Sequence, residues 1–156
     1  MERPIELYHN SSYTSFGGGS ASVSLVTGEF TKVLEFLVPE RMALLLKKNP
    51  KVIMKLKNSS GTELNASAKI KLAIKKPGEE LATSLGAAKI YAPYAHLTLA
   101  GQNNVENDAS VRFNLDREGS ILEYSRLQVL VNSASAFTLS WADSELYIRD
   151  VSEVDL

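Results

Sequence analysis

The chain has 156 residues, 44% hydrophobic and 22% charged, which fits one domain with a sizeable core and excludes a mostly disordered polypeptide. It contains no Cys, so disulfides, thiol nucleophiles and Cys-ligated zinc are excluded. A formal net charge of −1 supplies no global pull toward nucleic acid or membrane, and no apolar run reaches the length of about 18 residues that a spanning helix needs.

In chain order, the first segment stands apart. Between Asn10 and Ser24 the composition turns to Ser, Gly, Tyr and Thr, with Gly17-Gly18-Gly19 at its centre. This pattern predicts an extended N-terminal arm over residues 1–20, ahead of a single β-sandwich domain over 21–156. Either the arm is a mobile tail or it docks on a neighbouring subunit, and Ile5, Leu7, Tyr8, Tyr13 and Phe16 are the side chains that would anchor it.

From Phe30 onward the signal is period-2 alternation, which places successive side chains on opposite faces of a strand. Phe30, Leu34, Phe36 and Val38 form one apolar face. Pro39–Lys48 reads either as a helix of three turns or as a strand after a bend at Pro39, and its place between strand signals favours the strand. Alternation returns over Val52–Lys57 and Lys69–Lys76, with Asn58-Ser59-Ser60-Gly61 as the turn between them. Glu79–Ala88 reads as a short helix, weakened by Gly86. Strands then follow at Ser110–Leu115, Arg126–Asn132 and Ala136–Trp141, and Leu146 and Ile148 continue the pattern. Half-buried antiparallel strands produce this alternation, so the expected class is all-β: an antiparallel β-sandwich of the jelly-roll kind.

Charge is segregated. Residues 32–89 hold all eleven Lys and Arg41 against five acids, +7, whereas residues 90–156 carry four Arg against ten acids, −6. If the two lysine-bearing strands pair as a hairpin, Lys55, Lys57, Lys69, Lys71 and Lys75 form one basic face. That face is a solvated sheet surface that resists edge aggregation, a patch meeting the acidic half of another copy, or an anion site. It lacks the interleaved aromatics of single-strand binders, so nucleic acid is not the expected partner.

Catalytic signatures are missing. Ser-x-x-Lys, Gly-x-Ser-x-Gly, Walker A and Gly-x-Gly-x-x-Gly patterns do not occur, and two isolated His, His9 and His96, make no metal-binding spacing. No enzyme, metal or cofactor is expected. Two loops retain binding potential: Tyr91 and Tyr94 beside Pro93, and the oxygen-rich stretch 101–108. Together they support an alternative reading as a carbohydrate-binding or receptor-binding module.

The run Val33-Leu34-Glu35-Phe36-Leu37-Val38-Pro39-Glu40-Arg41 and the closing strands from Tyr124 to Asp150 resemble the jelly-roll capsid decoration (cement) proteins of tailed phages and related archaeal viruses. The resemblance covers roughly residues 30–150. It implies a non-enzymatic structural protein of the virion, bound at the capsid surface after synthesis in the host cytoplasm. It further implies a homo-oligomer, often a trimer, with an N-terminal arm reaching the major capsid protein as partner; charge and the lack of a spanning run give no membrane partner.

Overall fold

The computed structural model describes residues 2–16, 22–57, 64–78, 83–85, 95–101, 106–113, 118–134, 137–140 and 144–156. Every regular element among them is a strand: β1 (Glu2–Tyr8), β2 (Thr14–Phe16), β3 (Ser22–Leu25), β4 (Thr31–Leu37), β5 (Met42–Lys57), β6 (Leu64–Lys75), β7 (Thr83–Leu85), β8 (Ala95–Gly101), β9 (Glu106–Arg112), β10 (Gly119–Ile121), β11 (Arg126–Ser133), β12 (Phe137–Ser140) and β13 (Glu145–Asp155). In the first sheet β1, β13, β5 and β10 are neighbours, and β9 also pairs with β5. In the second, β2, β4, β11, β6 and β7 are neighbours, and β8 also pairs with β6. A small third sheet joins β12 to β3.

The topology is that of a jelly roll. Eight strands have seven or more residues: β1, β4, β5, β6, β8, β9, β11 and β13. Numbered one to eight in chain order, they form sheets of order 1-8-3-6 and 2-7-4-5 with every pair antiparallel. Two nested Greek keys give this order.

The alternation seen in the sequence is what fills the space between the sheets. Across the first sheet Leu7, Ile148, Val52 and Val111 lie in one register row. Across the second, Leu34, Val129 and Leu72 form one row and Phe36, Leu127 and Ile74 another. These side chains form a single core cluster, with Val111 and Ile74 packed against its margin and Val23, Leu25 and Leu139 from the small sheet completing it. Burial of a Leu or Ile side chain stabilises by about 1.5–3 kcal/mol, so rows of this kind outweigh any local preference of the strands.

After a turn at 39–41 the segment is strand from Met42, as favoured, but the strand does not stop at Asn49-Pro50; β5 runs on to Lys57. Pro lacks an N–H and is ordinarily kept out of a central strand. Here the register of β5 with β13 shifts, so that residues 47–50 oppose Asp150 alone, in the left-handed conformation at φ 62°. This bulge removes Pro50 from the ladder. Pro50 still contributes its carbonyl, which accepts from the Phe113 N–H at 2.9 Å.

Three expectations are corrected by the fold. First, β5 and β6 do not pair as a hairpin; they lie in different sheets, because Val52 and Met54 on one and Ile70 and Leu72 on the other must face the same core from opposite sides. Second, Thr83–Leu85, inside the segment read as a short helix, is a strand paired to β6. Third, the described part of residues 1–20 is not a detached arm. Residues 2–8 pair along β13 and residues 14–16 along β4, and Leu7 is fully buried. Ile5 and Leu7 form a short inward alternation against exposed Pro4 and Glu6, and their partners lie at the far end of the chain.

Candidate partner-binding surface

With β5 and β6 in opposite sheets, the expected basic face divides. Lys55 shares the outer face of the first sheet, and its backbone lies in register with Glu145 and Asp108. Lys57 is in register with Glu106. The acid-bearing strands β9 and β13 thus run on either side of β5. Lys69, Lys71 and Lys75 lie on β6 with Asn132, Leu130 and Arg126 opposite them on β11, so this row meets no acid from that neighbour. The positive surface is thus the outer face of the second sheet. Lys71 Nζ sits 4.3 Å from the centroid of the Phe30 ring, a cation–π contact.

At the middle of this face is Glu35, only 2% exposed. Its carboxylate accepts from Arg126 Nη1 at 2.7 Å, Gln128 Nε2 at 2.8 Å, Lys32 Nζ at 3.2 Å and Ser15 Oγ at 3.2 Å. Burial by itself raises the carboxyl pKa, but the hydrogen bonds from Gln128 and Arg126, with the charge of Lys32, hold it below its ordinary value. Glu35 thereby draws β2, β4 and β11 together under the basic surface. The sequence carries one signal for it, a lone acid within the apolar run Val33–Val38.

The N-terminal residues are arranged around β13. Arg3 pairs with Glu153 at 2.9 Å and Asp155 at 2.7 Å, and the Tyr13 hydroxyl donates to Glu153. Burial, followed by that carboxylate, pushes the Tyr13 phenol up to about 12. On the outer face of the first sheet Tyr8 stacks on Tyr147, ring centroids 4.6 Å apart, with the Arg149 guanidinium 5.5 Å from the Tyr147 ring. Of the five residues expected to contact a neighbour, Leu7 is thus inside the core, Ile5 and Tyr13 pack against it, and Tyr8 is half-buried. Phe16 lies in β2, in register with Glu35. Tyr91, Tyr94 and residues 102–105 of the polar loop lie outside the described residues.

One end of the sandwich carries features that sequence reasoning missed. Turns 38–41 and 122–125 are stitched together: Tyr124 N–H donates to the Val38 carbonyl at 2.8 Å and Arg41 N–H to Glu123 Oε2 at 2.8 Å. Arg41 and Tyr124 both adopt positive φ, 62° and 65°. Tyr124 and Leu122 are large and exposed, at 50% and 57%. Beside them opens a cavity of about 410 Å³ lined by Lys75, Lys76, Pro77, Gly78, Tyr124 and Arg126. No Gly or Asn in 121–125 marks a left-handed turn, so nothing in the sequence pointed to it.

The described surfaces offer side chains that hold and contact. The family of this jelly roll is shown by sequence. The model of the VP16-like major capsid protein family matches residues 30–154, and the chain belongs to that family. It is a viral capsid structural protein, a component of the virion. The resemblance to viral jelly-roll capsid proteins holds at that level, but the family is one of major capsid proteins and not of decoration proteins. No curated protein matches the sequence. Among solved structures the chain is similar to VP17, a capsid protein of bacteriophage P23-77, with 7% identity, TM-score 0.44, and coverage of 100% of this chain and 98% of that one. It is also similar to a chain of the complex of the two major capsid proteins of that phage, VP16 and VP17, with 6% identity, TM-score 0.40 and 100% of each chain covered. A third similar structure is the Eiger TNF of S. frugiperda, with 10% identity, TM-score 0.40, and 95% and 93% covered.

Proposed function

We propose that this chain is a shell-building subunit, packed side by side with other capsid subunits rather than added to a finished shell. The observation that carries this reading is the major capsid family match over residues 30–154, which spans the domain from β4 to nearly the end of β13. The mechanism is mass action across many copies: each subunit makes modest contacts, and closure of the assembly stabilises all of them together. The buried Glu35 network and the Arg3–Glu153–Asp155 ion pairs suit such a part, because they keep both outer faces stiff for docking.

Electron microscopy and light scattering on the full chain, across protein concentration and salt, test the reading. Regular assemblies are expected at high concentration, and light scattering reads the copy number of the smallest unit, three being the number the resemblance implies. Mass spectrometry of particles from cells carrying the gene is expected to find the chain in high copy. A chain that stays monomeric throughout and is missing from such particles overturns it.

A further inference from the structure

We propose that the cavity between turns 76–78 and 122–125 is a receptor for a carboxylate side chain on a neighbouring capsid subunit, with Lys75, Lys76 and Arg126 supplying charge and Tyr124 the apolar wall. The proposal deepens the capsid reading and rests on it.

Two independent features of the fold point to a ligand. The first is that Lys75 and Arg126 stand directly opposite each other across β6 and β11. Like charges in that position repel and weaken a strand pair. Arg126 is held to Glu35 through Nη1, while Lys75 has no ion-pair partner among the described residues. An oxyanion seated between the cations relieves the repulsion, and an Arg fork binds such a group with defined geometry.

The second feature is the backbone at Tyr124. In the same cavity wall Gly78 takes φ 82°, which costs a glycine nothing. Tyr124 takes φ 65°, where a bulky residue is strained, and half of its surface remains in solvent. The side chain is no part of the hydrophobic core. Strain retained without benefit to the core is a mark of a contact residue. Tyr and Arg are also the types enriched at protein interfaces, and exposed Leu122 on the same turn adds apolar surface.

The surrounding charges favour a single carboxylate over a phosphate backbone. Burial raises the pKa of the Tyr124 phenol, and the nearby charges of Glu40 and Glu123 raise it further. A polyanion crossing this end meets Glu40 and Glu123 on its way, whereas one carboxylate on a protein loop enters between Lys75 and Arg126 without passing them.

The test uses the full chain, with a fluorescein-labelled hexaglutamate peptide as probe and anisotropy as readout at low salt. Saturable binding is expected, weakened at least tenfold by Lys75→Glu and by Tyr124→Gly. The thermal midpoint of both variants is expected to stay level or rise, because one substitution replaces a like-charge pair with an opposite pair and the other removes strain. Binding that is absent, or that both variants leave unchanged, overturns the proposal. Inorganic phosphate or an oligothymidylate that displaces the peptide, and binds more tightly with the same sensitivity to the variants, overturns the protein source. None of these failures touches the capsid reading, which is decided by assembly and by the composition of particles.

Discussion

Gln128 and Glu35 lie opposite each other on β11 and β4, and the Gln128 amide donates to the Glu35 carboxylate at 2.8 Å. Both are buried, although both belong to the outer face of their sheet. The carboxylate is stable there because Arg126, Lys32 and Ser15 fill its other lone pairs, so that its desolvation is offset by charge-assisted hydrogen bonds. Replacing it leaves partly exposed cations and a buried amide without an acceptor. Glu35→Ala is expected to destabilise the fold by about 2–4 kcal/mol and Glu35→Gln by about 1–2 kcal/mol, measured by urea unfolding.

The same network sets an acid limit. The Glu35 carboxyl is held below its ordinary value of 4.5, so the folded chain binds a proton here less readily than the unfolded chain. Its contribution is complete above that value and is lost as pH falls through the lower folded pKa. Thermal melts between pH 7 and pH 3 are expected to fall on the acid side, and Glu35→Gln is expected to flatten that fall. A wild-type midpoint that does not change below pH 4.5 contradicts this account.

The N-terminal strand is a structural element of the domain, and Leu7 shows it most directly. It is fully buried in a row with Ile148 and Val52. Leu7→Ala is expected to cost about 2–5 kcal/mol in chemical unfolding. Removal of residues 1–16 exposes the outer edges of β13 and β4 as well and is expected to leave a chain that aggregates or unfolds. A truncated chain that melts like the full one refutes the assignment of β1 to the core.

How much of this was legible depends on where the partner of each residue lies. β11 announces itself, since Leu127, Val129 and Val131 alternate with Arg126, Gln128 and Leu130, and one sheet face is enough to impose that pattern. β1 reads as an arm in the sequence because its pattern is short and interrupted by Pro4, and its register is supplied by β13, about 140 residues away. The path of β5 through Pro50 was hidden for the same reason, since the bulge that admits it sits at Asp150. The lysines were visible as a group, but whether they share a face is a question of topology, and the jelly roll separates β5 from β6. Glu35 is explained by residues 91 and 93 positions further on.

Asp150 is a test of the bulge. At φ 62° an Asp is tolerated, and its Oδ2 accepts from Arg112 Nη1 at 3.0 Å. Arg112 Nη1 also donates to the Asn49 carbonyl at 2.9 Å, so the side chain spans both sides of the bulge. Asp150→Gly is expected to lie within about 0.5 kcal/mol of wild type, because strain relief and the lost surface ion pair are both small. Asp150→Val places a β-branched residue in the left-handed region and is expected to cost about 1–3 kcal/mol. Equal stability of the two variants in urea unfolding indicates that the bulge relaxes to another register.

Tyr13 defines the alkaline limit. Its hydroxyl donates to Glu153, whose carboxyl is held low first by that bond and then by Arg3. Ionising the phenol removes the donor and sets two negative groups side by side. Burial and the Glu153 carboxylate together push the phenol up from 10.0 to about 12. A raised folded pKa means that the contribution is complete below the unfolded value of 10.0 and is lost as pH rises through about 12. Tyr13→Phe is expected to cost about 1 kcal/mol near neutral pH, since the site is partly open to solvent. Above pH 10 the difference between Tyr13→Phe and wild type is expected to shrink, because wild type then loses what the variant never had. Melting curves from pH 7 to pH 12 check this, and a difference that stays constant over that range shows that the hydroxyl is not bonded to Glu153 in solution.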